Sequence, residues 1–345
     1  MRKIYIPWIF MISLLLCIST PYTIYPANVF VTNMDLTSRI NLEAEVSTRG
    51  QFDIRFDGGY KYQGKLLFQY YNNALETDTS ASLRFDGAQA SVKSIFNVLD
   101  LTYWTGLWGI LGKGKHYKGH LYHSGAGFDY NGYLPILGTG LVFGSRYYDL
   151  LSGDLFVYQR YGSTKIDSLD LTLNIFHKQL QGSIFLGVTG IDYRMGFHFQ
   201  SIGEKAELYL TMGDPTVRFG RAIDFDDFYF LLEEWFKIES WNLILSVFTR
   251  PKIHYNYLQR DYINTNEVND IDFNFDLNYE PPASYFSGGT ELNIQTNSIE
   301  NFGISLSPYI SIFTQGVTWK VKVDFNFISQ SRDFITAYLN VRASF

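Results

Sequence analysis

Over residues 269–280 the sequence reads NDIDFNFDLNYE, and Ile271, Phe273, Phe275, Leu277 and Tyr279 alternate strictly with Asp270, Asp272, Asn274, Asp276 and Asn278. Strand side chains point to opposite faces with a period of two, so this pattern dictates one strand with two different solvents. A helix would scatter the same residues around its axis. Two settings satisfy the pattern: a sheet with a core on one side and water on the other, or a membrane-spanning barrel with lipid outside and a wet lumen inside.

The alternation recurs along the chain. Ile40, Leu42, Ala44 and Val46 alternate with Arg39, Asn41, Glu43 and Glu45; Phe52, Ile54 and Phe56 with Asp53, Arg55 and Asp57; Val317, Trp319, Val321, Val323 and Phe325 with Thr318, Lys320, Lys322 and Asp324. Hydrophobic residues make up 46% of the chain, yet mean hydropathy is near zero, as alternation rather than apolar blocks requires. No run of 18 apolar residues follows Ala27, so no segment reads as a transmembrane helix. Turn pairs separate the runs: Gly58-Gly59, Asp86-Gly87, Asn131-Gly132 and Gln315-Gly316.

The first residues read as a targeting segment. Arg2 and Lys3 precede an apolar run from Ile4 to Ile18, the layout of a signal peptide, with cleavage expected after Ser19 or Ala27. Losing residues 1–27 removes Arg2, Lys3 and no acid, so the formal charge of −6 becomes −8. The single cysteine, Cys17, leaves with them, in keeping with an oxidising compartment. Residues 28–345 then form one domain, since no linker or repeat divides them.

The last residues read RDFITAYLNVRASF. Ile335, Ala337, Leu339, Val341, Ala343 and Phe345 share one face, and the strand stops on the aromatic Phe345. This resembles the terminal strand of bacterial outer-membrane β-barrel proteins, a class and not one family. Ala343 is small where a larger apolar residue is usual, and Asn340 stands near a position often held by Gly. The resemblance implies an integral protein of a diderm outer membrane. It also implies that the barrel assembly machinery recognises Phe345 as an assembly signal, that membrane lipid surrounds the barrel, and that association into a homo-oligomer is compatible with the class.

The expected fold is therefore all-β: a single closed antiparallel transmembrane barrel of about 18 strands, with 16 as the alternative count. The runs extend from 38–48 to 333–345 and include 88–103, 119–130, 181–200 and 226–238; a lumenal helix is the alternative for 222–238. Long connections are expected at 104–118, 214–225 and 250–269, all on one rim. A β-sandwich of this many strands would be unusual, and a β-helix would show a repeat.

Barrels of 16 to 18 strands enclose an aqueous channel. The expected function is a porin-like channel for passive diffusion of small polar solutes, with a surface adhesin of occluded lumen as the alternative. The expected lumen lining is Arg39, Glu43, Glu45, Asp53, Arg55, Asp57, Asp270, Asp272, Asp276, Glu291, Lys320, Lys322, Asp324 and Arg342. With Glu280, acids outnumber bases ten to five on these polar faces, which predicts a weak cation preference. Trp104, Trp108, Lys113 and Lys115 fall in the 104–118 loop and are the expected constriction.

No chemistry beyond passage is called for. Three histidines cluster at His116, His120 and His123, but on a strand His116 and His120 would share a face while lying about 13 Å apart, too far to hold one metal ion. The acids Asp224, Asp226, Asp227, Glu233 and Glu234 match no cation-loop spacing. No nucleophile–base spacing or phosphate loop stands out, so neither an enzyme nor a cofactor is expected. The chain is acidic and carries no basic stripe, so nucleic acid is not an expected partner.

Overall fold

The structure, a computed structural model, describes residues 29–72, 82–111, 114–115, 134–190, 192–217, 227–249, 253–256, 261–264, 271–282, 284–298, 301–328 and 334–344. In chain order the strands are β1 (Val29–Asn41), β2 (Val46–Gly58), β3 (Tyr62–Asn72), β4 (Ser82–Ile95), β5 (Leu99–Leu111), β6 (Leu134–Tyr147), β7 (Leu151–Arg160), β8 (Ser168–His177), β9 (Leu180–Thr189) and β10 (Asp192–Ile202). There follow β11 (Ala206–Val217), β12 (Tyr229–Ile238), β13 (Trp241–Thr249), β14 (Ile253–Asn256), β15 (Asp261–Asn264), β16 (Ile271–Tyr279), β17 (Phe286–Ser298), β18 (Asn301–Thr314), β19 (Val317–Ile328) and β20 (Ile335–Ser344).

Among the described residues, 18 of these form one antiparallel sheet, and β14 with β15 form a separate hairpin in the connection after β13. The sheet closes because β1 pairs with β20, from Asn33 against Ser344 to Asn41 against Thr336. Closure matters physically: in lipid an unpaired strand edge would leave a row of unsatisfied backbone groups, and a closed barrel has no edge.

The two faces separate as alternation requires. Phe273 and Phe275 on β16, Ile310 and Ile312 on β18, and Trp319 and Val321 on β19 are exposed on the outside. Their neighbours Asp272, Ser311, Lys322, Asp324 and Asn340 are buried, because side chains on the concave face crowd one another. That crowding also explains inward glycines. Gly140 on β6 pairs with Tyr158 on β7, and Gly187 on β9 pairs with Asp170 on β8. A Cβ at Gly140 would collide with Tyr158, and one at Gly187 with the Asp170 carboxylate.

The longest connections all join strand ends on one rim. One rim carries the short turns 59–61, 96–98, 148–150, 178–179, 203–205, 239–240 and 315–316, together with the start of β1 and the end of β20. At the other, the strand ends that bound the long connections β3–β4, β5–β6, β7–β8, β11–β12 and β13–β16 lie together with the short β1–β2, β9–β10 and β17–β18 reversals. The expected long connections near 214–225 and 250–269 fall on this second rim, the arrangement typical of outer-membrane barrels.

The strand count matches the expected 18, although several of the expected runs do not match individually. The 119–130 run lies outside the described residues. The 181–200 run is two strands, β9 and β10, reversed at Gly190, which holds a left-handed φ of 59°. The 38–48 run straddles a turn: Asn41 Oδ1 accepts the backbone N–H groups of Glu43 and Glu45, at 3.1 and 2.8 Å, and Ala44 takes φ 59°. This side-chain capture of the backbone ends β1 although the apolar alternation continues through it.

Asp86-Gly87 is not a turn either. Both residues lie within β4, where the register against β3 slips by one residue, a bulge. The reversal comes later, at 96–98, where Phe96 and Asn97 are left-handed and Asp100 Oδ1 accepts the Ser94 N–H at 2.8 Å. The chain from Leu99 to Leu111 is consequently strand, and the expected 104–118 loop begins only after residue 111. The described part of 222–238 is the strand β12, not a helix.

Candidate functional site in the barrel lumen

The inner wall divides into a charged sector and an aromatic one. The charged sector spans β16 to β20 and continues across the closure into β1. Glu291 on β17 receives Lys320 Nζ at 2.7 Å and Lys322 Nζ at 3.1 Å, one carboxylate oxygen each. Lys322 also lies 3.2 Å from Asp324. Tyr309 donates to Asp276 at 2.8 Å, and the Lys320 ammonium sits 3.7 Å from the Tyr309 ring centroid. Across the closing seam, Arg342 Nε reaches Asp35 at 2.7 Å, and Asn340 bonds both Asp35 and Thr37 at 2.7 Å. The register alone brings these residues together: Lys322 faces Tyr309 and Tyr338, and Asp276 faces Glu291.

The aromatic sector spans β5 to β13. Trp104, Ile136, Val142, Phe156, Tyr158, Phe185, Tyr229, Leu231 and Phe248 form one buried cluster, with Trp108 and Leu111 packed against it. Trp104 is 0% exposed and sits 5.3 Å from the Tyr158 ring, 5.7 Å from Trp108 and 6.1 Å from Phe156, all in tilted or edge-on contacts. Beside the cluster lies a buried ion pair. Arg194 on β10 donates from Nε to Asp170 Oδ1 at 3.0 Å and from Nη2 to Oδ2 at 2.5 Å. The Tyr158 hydroxyl donates to Asp170 Oδ2 at 2.9 Å and accepts from Arg194.

The connection after β5 enters the lumen. Gly114 lies against Glu233 and Leu231 on β12, with no room there for a Cβ. The Lys115 backbone N–H donates to Glu233 Oε2 at 2.7 Å, and its ammonium donates to Glu207 Oε2 on β11 at 2.5 Å. β12 stands seven strands from β5 around the sheet, so the contact crosses the barrel interior. Burial, the largest single influence, would lower the Lys115 pKa, but its hydrogen bonds and electrostatic attraction to Glu207 and Tyr209 together hold it above the ordinary lysine value. The tether therefore stays charged at neutral pH and weakens only as pH rises through that raised value. From the second long connection, β14 brings its Cα atoms within 8 Å of β6.

The expected lining residues divide as follows. Arg39, Asp53, Arg55, Asp57, Asp272, Asp276, Glu291, Lys320, Lys322, Asp324 and Arg342 stand on strands at inward register positions. Glu43 and Glu45 do not; both are in the exposed β1–β2 turn, where Asn41 holds them. Trp104 and Trp108 belong to β5 and pack in the wall cluster instead of forming a loop. Lys115 reaches across the lumen. Asp270, Lys113 and Phe345 lie outside the described residues, as do the three histidines at 116, 120 and 123.

The sequence pattern did not single out Asp170, Arg194, Glu207 or Lys65 as inward charges. Asp170 had a usable signal in its place between Leu169 and Leu171. Arg194 had none once 181–200 read as one strand, because its facing partner depends on the turn at Gly190.

The chain matches no protein-family model and no curated protein sequence. Its fold is similar to that of solved outer-membrane proteins. The outer membrane protein opdK from Pseudomonas aeruginosa superposes with a TM-score of 0.57 at 11% identity, covering 91% of this chain and 98% of that one. Pseudomonas aeruginosa OccK10 (OpdN) gives 0.58 at 11% identity, covering 92% and 99%. A mutant porin of Rh. blastica gives 0.53 at 11% identity, covering 91% and 99%. At these identities the likeness is one of fold.

Proposed function

We propose that the protein is an integral outer-membrane channel of a diderm bacterium, passing small polar solutes by passive diffusion without chemical conversion. The observation that carries this reading is the closed 18-stranded barrel with an apolar outside and a charged, hydrogen-bonded inside. Barrels of this strand number are wide enough for water to fill what side chains leave open. The similarity in fold to solved porins points the same way. Residues 1–27 serve as a signal peptide cut after Ser19 or Ala27, and residues 28–345 make the barrel. Refolded protein should form discrete conductance steps in a planar lipid bilayer; a folded barrel with no conductance would favour the adhesin reading.

Selectivity should be weak. Glu43 and Glu45 sit in a turn, and much of the wall charge is paired, as with Glu291 between two lysines and Asp35 with Arg342. Paired charges cancel beyond their own neighbourhood, and salt screens the remainder over about 8–10 Å. At low salt, reversal potentials should show at most a small cation preference that disappears at high salt. Clear anion selectivity would contradict the proposed lining.

Lys115 is anchored to the far wall through Glu233 and Glu207. Replacing Lys115 and Glu233 by Ala should raise single-channel conductance, because the narrowing segment loses its anchor to the far wall. Unchanged conductance in well-folded protein would place the narrowing elsewhere. At the other end of the chain, Phe345 is the proposed assembly signal. Its deletion should reduce the amount of heat-modifiable barrel in the outer membrane, while barrel refolded in detergent should form normally. Equal membrane yields would remove this role.

A further inference from the structure

Near the short-turn rim, on the lumenal side, the wall holds a recess of about 380 Å³ lined by Arg55, Asp57, Gln63, Lys65, Gln89 and Ser91 and by the glycines at the β2–β3 turn. The register explains the grouping: Asp57 faces Lys65, Lys65 faces Gln89, and Gln63 faces Ser91 across three adjacent strands. Gly59, with a left-handed φ of 96°, makes the tight β2–β3 reversal at the edge of the recess.

The polar groups of this recess are unusually uncommitted for so charged a wall. Arg55 engages Asp57 through Nε, which leaves its terminal guanidinium N–H groups unengaged. Among the described residues, the side chains of Lys65, Gln63 and Gln89 make no hydrogen bond or ion pair, whereas Lys320, Lys322, Arg194 and Arg342 are all matched by acids. Two cations against one carboxylate leave one positive charge over, held beside a set of free N–H donors.

We propose that this recess is an oxyanion subsite of the lumen, binding the phosphate or carboxylate group of a passing solute between Lys65 and Arg55. An oxyanion would relieve the repulsion between the two cations and accept from both, and charge-assisted bonds of this kind are the strong ones. Gln63 and Gln89 would supply neutral amide donors at the sides. Asp57 stays engaged with Arg55 and keeps that guanidinium turned toward the recess. The subsite deepens the channel reading by naming the class of solute that pauses on this wall.

The test uses inorganic phosphate as probe and the full barrel refolded in detergent micelles. Phosphorus NMR linewidths should show phosphate binding to the unaltered protein. Lys65→Gln should weaken that binding about tenfold, the value of one charge-assisted hydrogen bond. Lys65→Arg should retain it, and Lys93→Gln, which alters a cation outside the recess, should leave it unchanged. Binding that is equally strong in Lys65→Gln, or no binding to a folded, unaltered barrel, would overturn the subsite. The readout does not require conduction. A barrel that binds phosphate yet never conducts would sink the channel and keep the recess, and one that conducts without binding phosphate would do the reverse.

Discussion

Arg194→Met should destabilise the folded barrel by about 3–5 kcal/mol, the cost of leaving one member of a buried ion pair without its partner. Asp170 is 0% exposed and the Arg194 side chain 5%. Removing the guanidinium leaves the carboxylate with the Tyr158 hydroxyl as its remaining donor in this cluster. The large penalty comes from the stranded charge and not from the worth of the pair, so a second replacement should recover much of it. Asp170→Asn with Arg194→Met removes both charges and should be more stable than Arg194→Met alone. Reversible urea unfolding of protein refolded into lipid vesicles measures both values. A cost under about 1 kcal/mol for the single variant would mean that water reaches the site and solvates the carboxylate, contrary to the burial.

Phe275→Arg should cost about 2–4 kcal/mol in the same assay, the range for a basic residue facing lipid near the bilayer midplane. Phe275 is the central residue of the nine in β16, and it is exposed on the outer face between Phe273 and Leu277. Phe275→Leu controls for the lost ring and should cost less than about 1.5 kcal/mol, since the surface stays apolar. The inward neighbour gives the contrast. Asp276→Asn keeps an acceptor for Tyr309 and should cost about 1 kcal/mol or less, the difference between a charged and a neutral hydrogen bond. Equal losses for Phe275→Arg and Asp276→Asn would mean that the two faces had been assigned to the wrong solvents.

How far the sequence could be read depended on the range of the interaction behind each feature. Alternation is local, so Ile271 to Tyr279 and Val317 to Phe327 declared their strands and their faces without reference to the rest of the chain. Summed around the molecule and joined to the leader and the aromatic-ended last strand, that alternation pointed to a closed barrel of about 18 strands, and with it to most of the inward residues. Turns are local too, but they are decided by atoms that hydropathy does not register. At Asn41 a side-chain oxygen captures two backbone N–H groups and ends a strand inside an unbroken alternating run. At Asp86-Gly87 a favoured turn pair is absorbed as a bulge because the chain on either side continues to pair with β3. Errors of this kind move a residue such as Glu45 off the wall and Trp104 onto it.

What stands opposite what was decided by the tertiary structure alone. Asp170 and Arg194 are two strands apart, Asp35 and Arg342 meet only because the barrel closes, and Lys115 touches Glu207 and Glu233 only because a long connection turns inward. None of these pairs leaves a mark in sequence spacing, since register and closure set them and both are properties of the whole sheet. The sequence by itself determined a barrel with a greasy outside and a charged inside. The tertiary structure decided which charges cancel one another, which aromatic residues wall off one side of the lumen, and where Lys65 faces the same small space as the Asp57-paired Arg55.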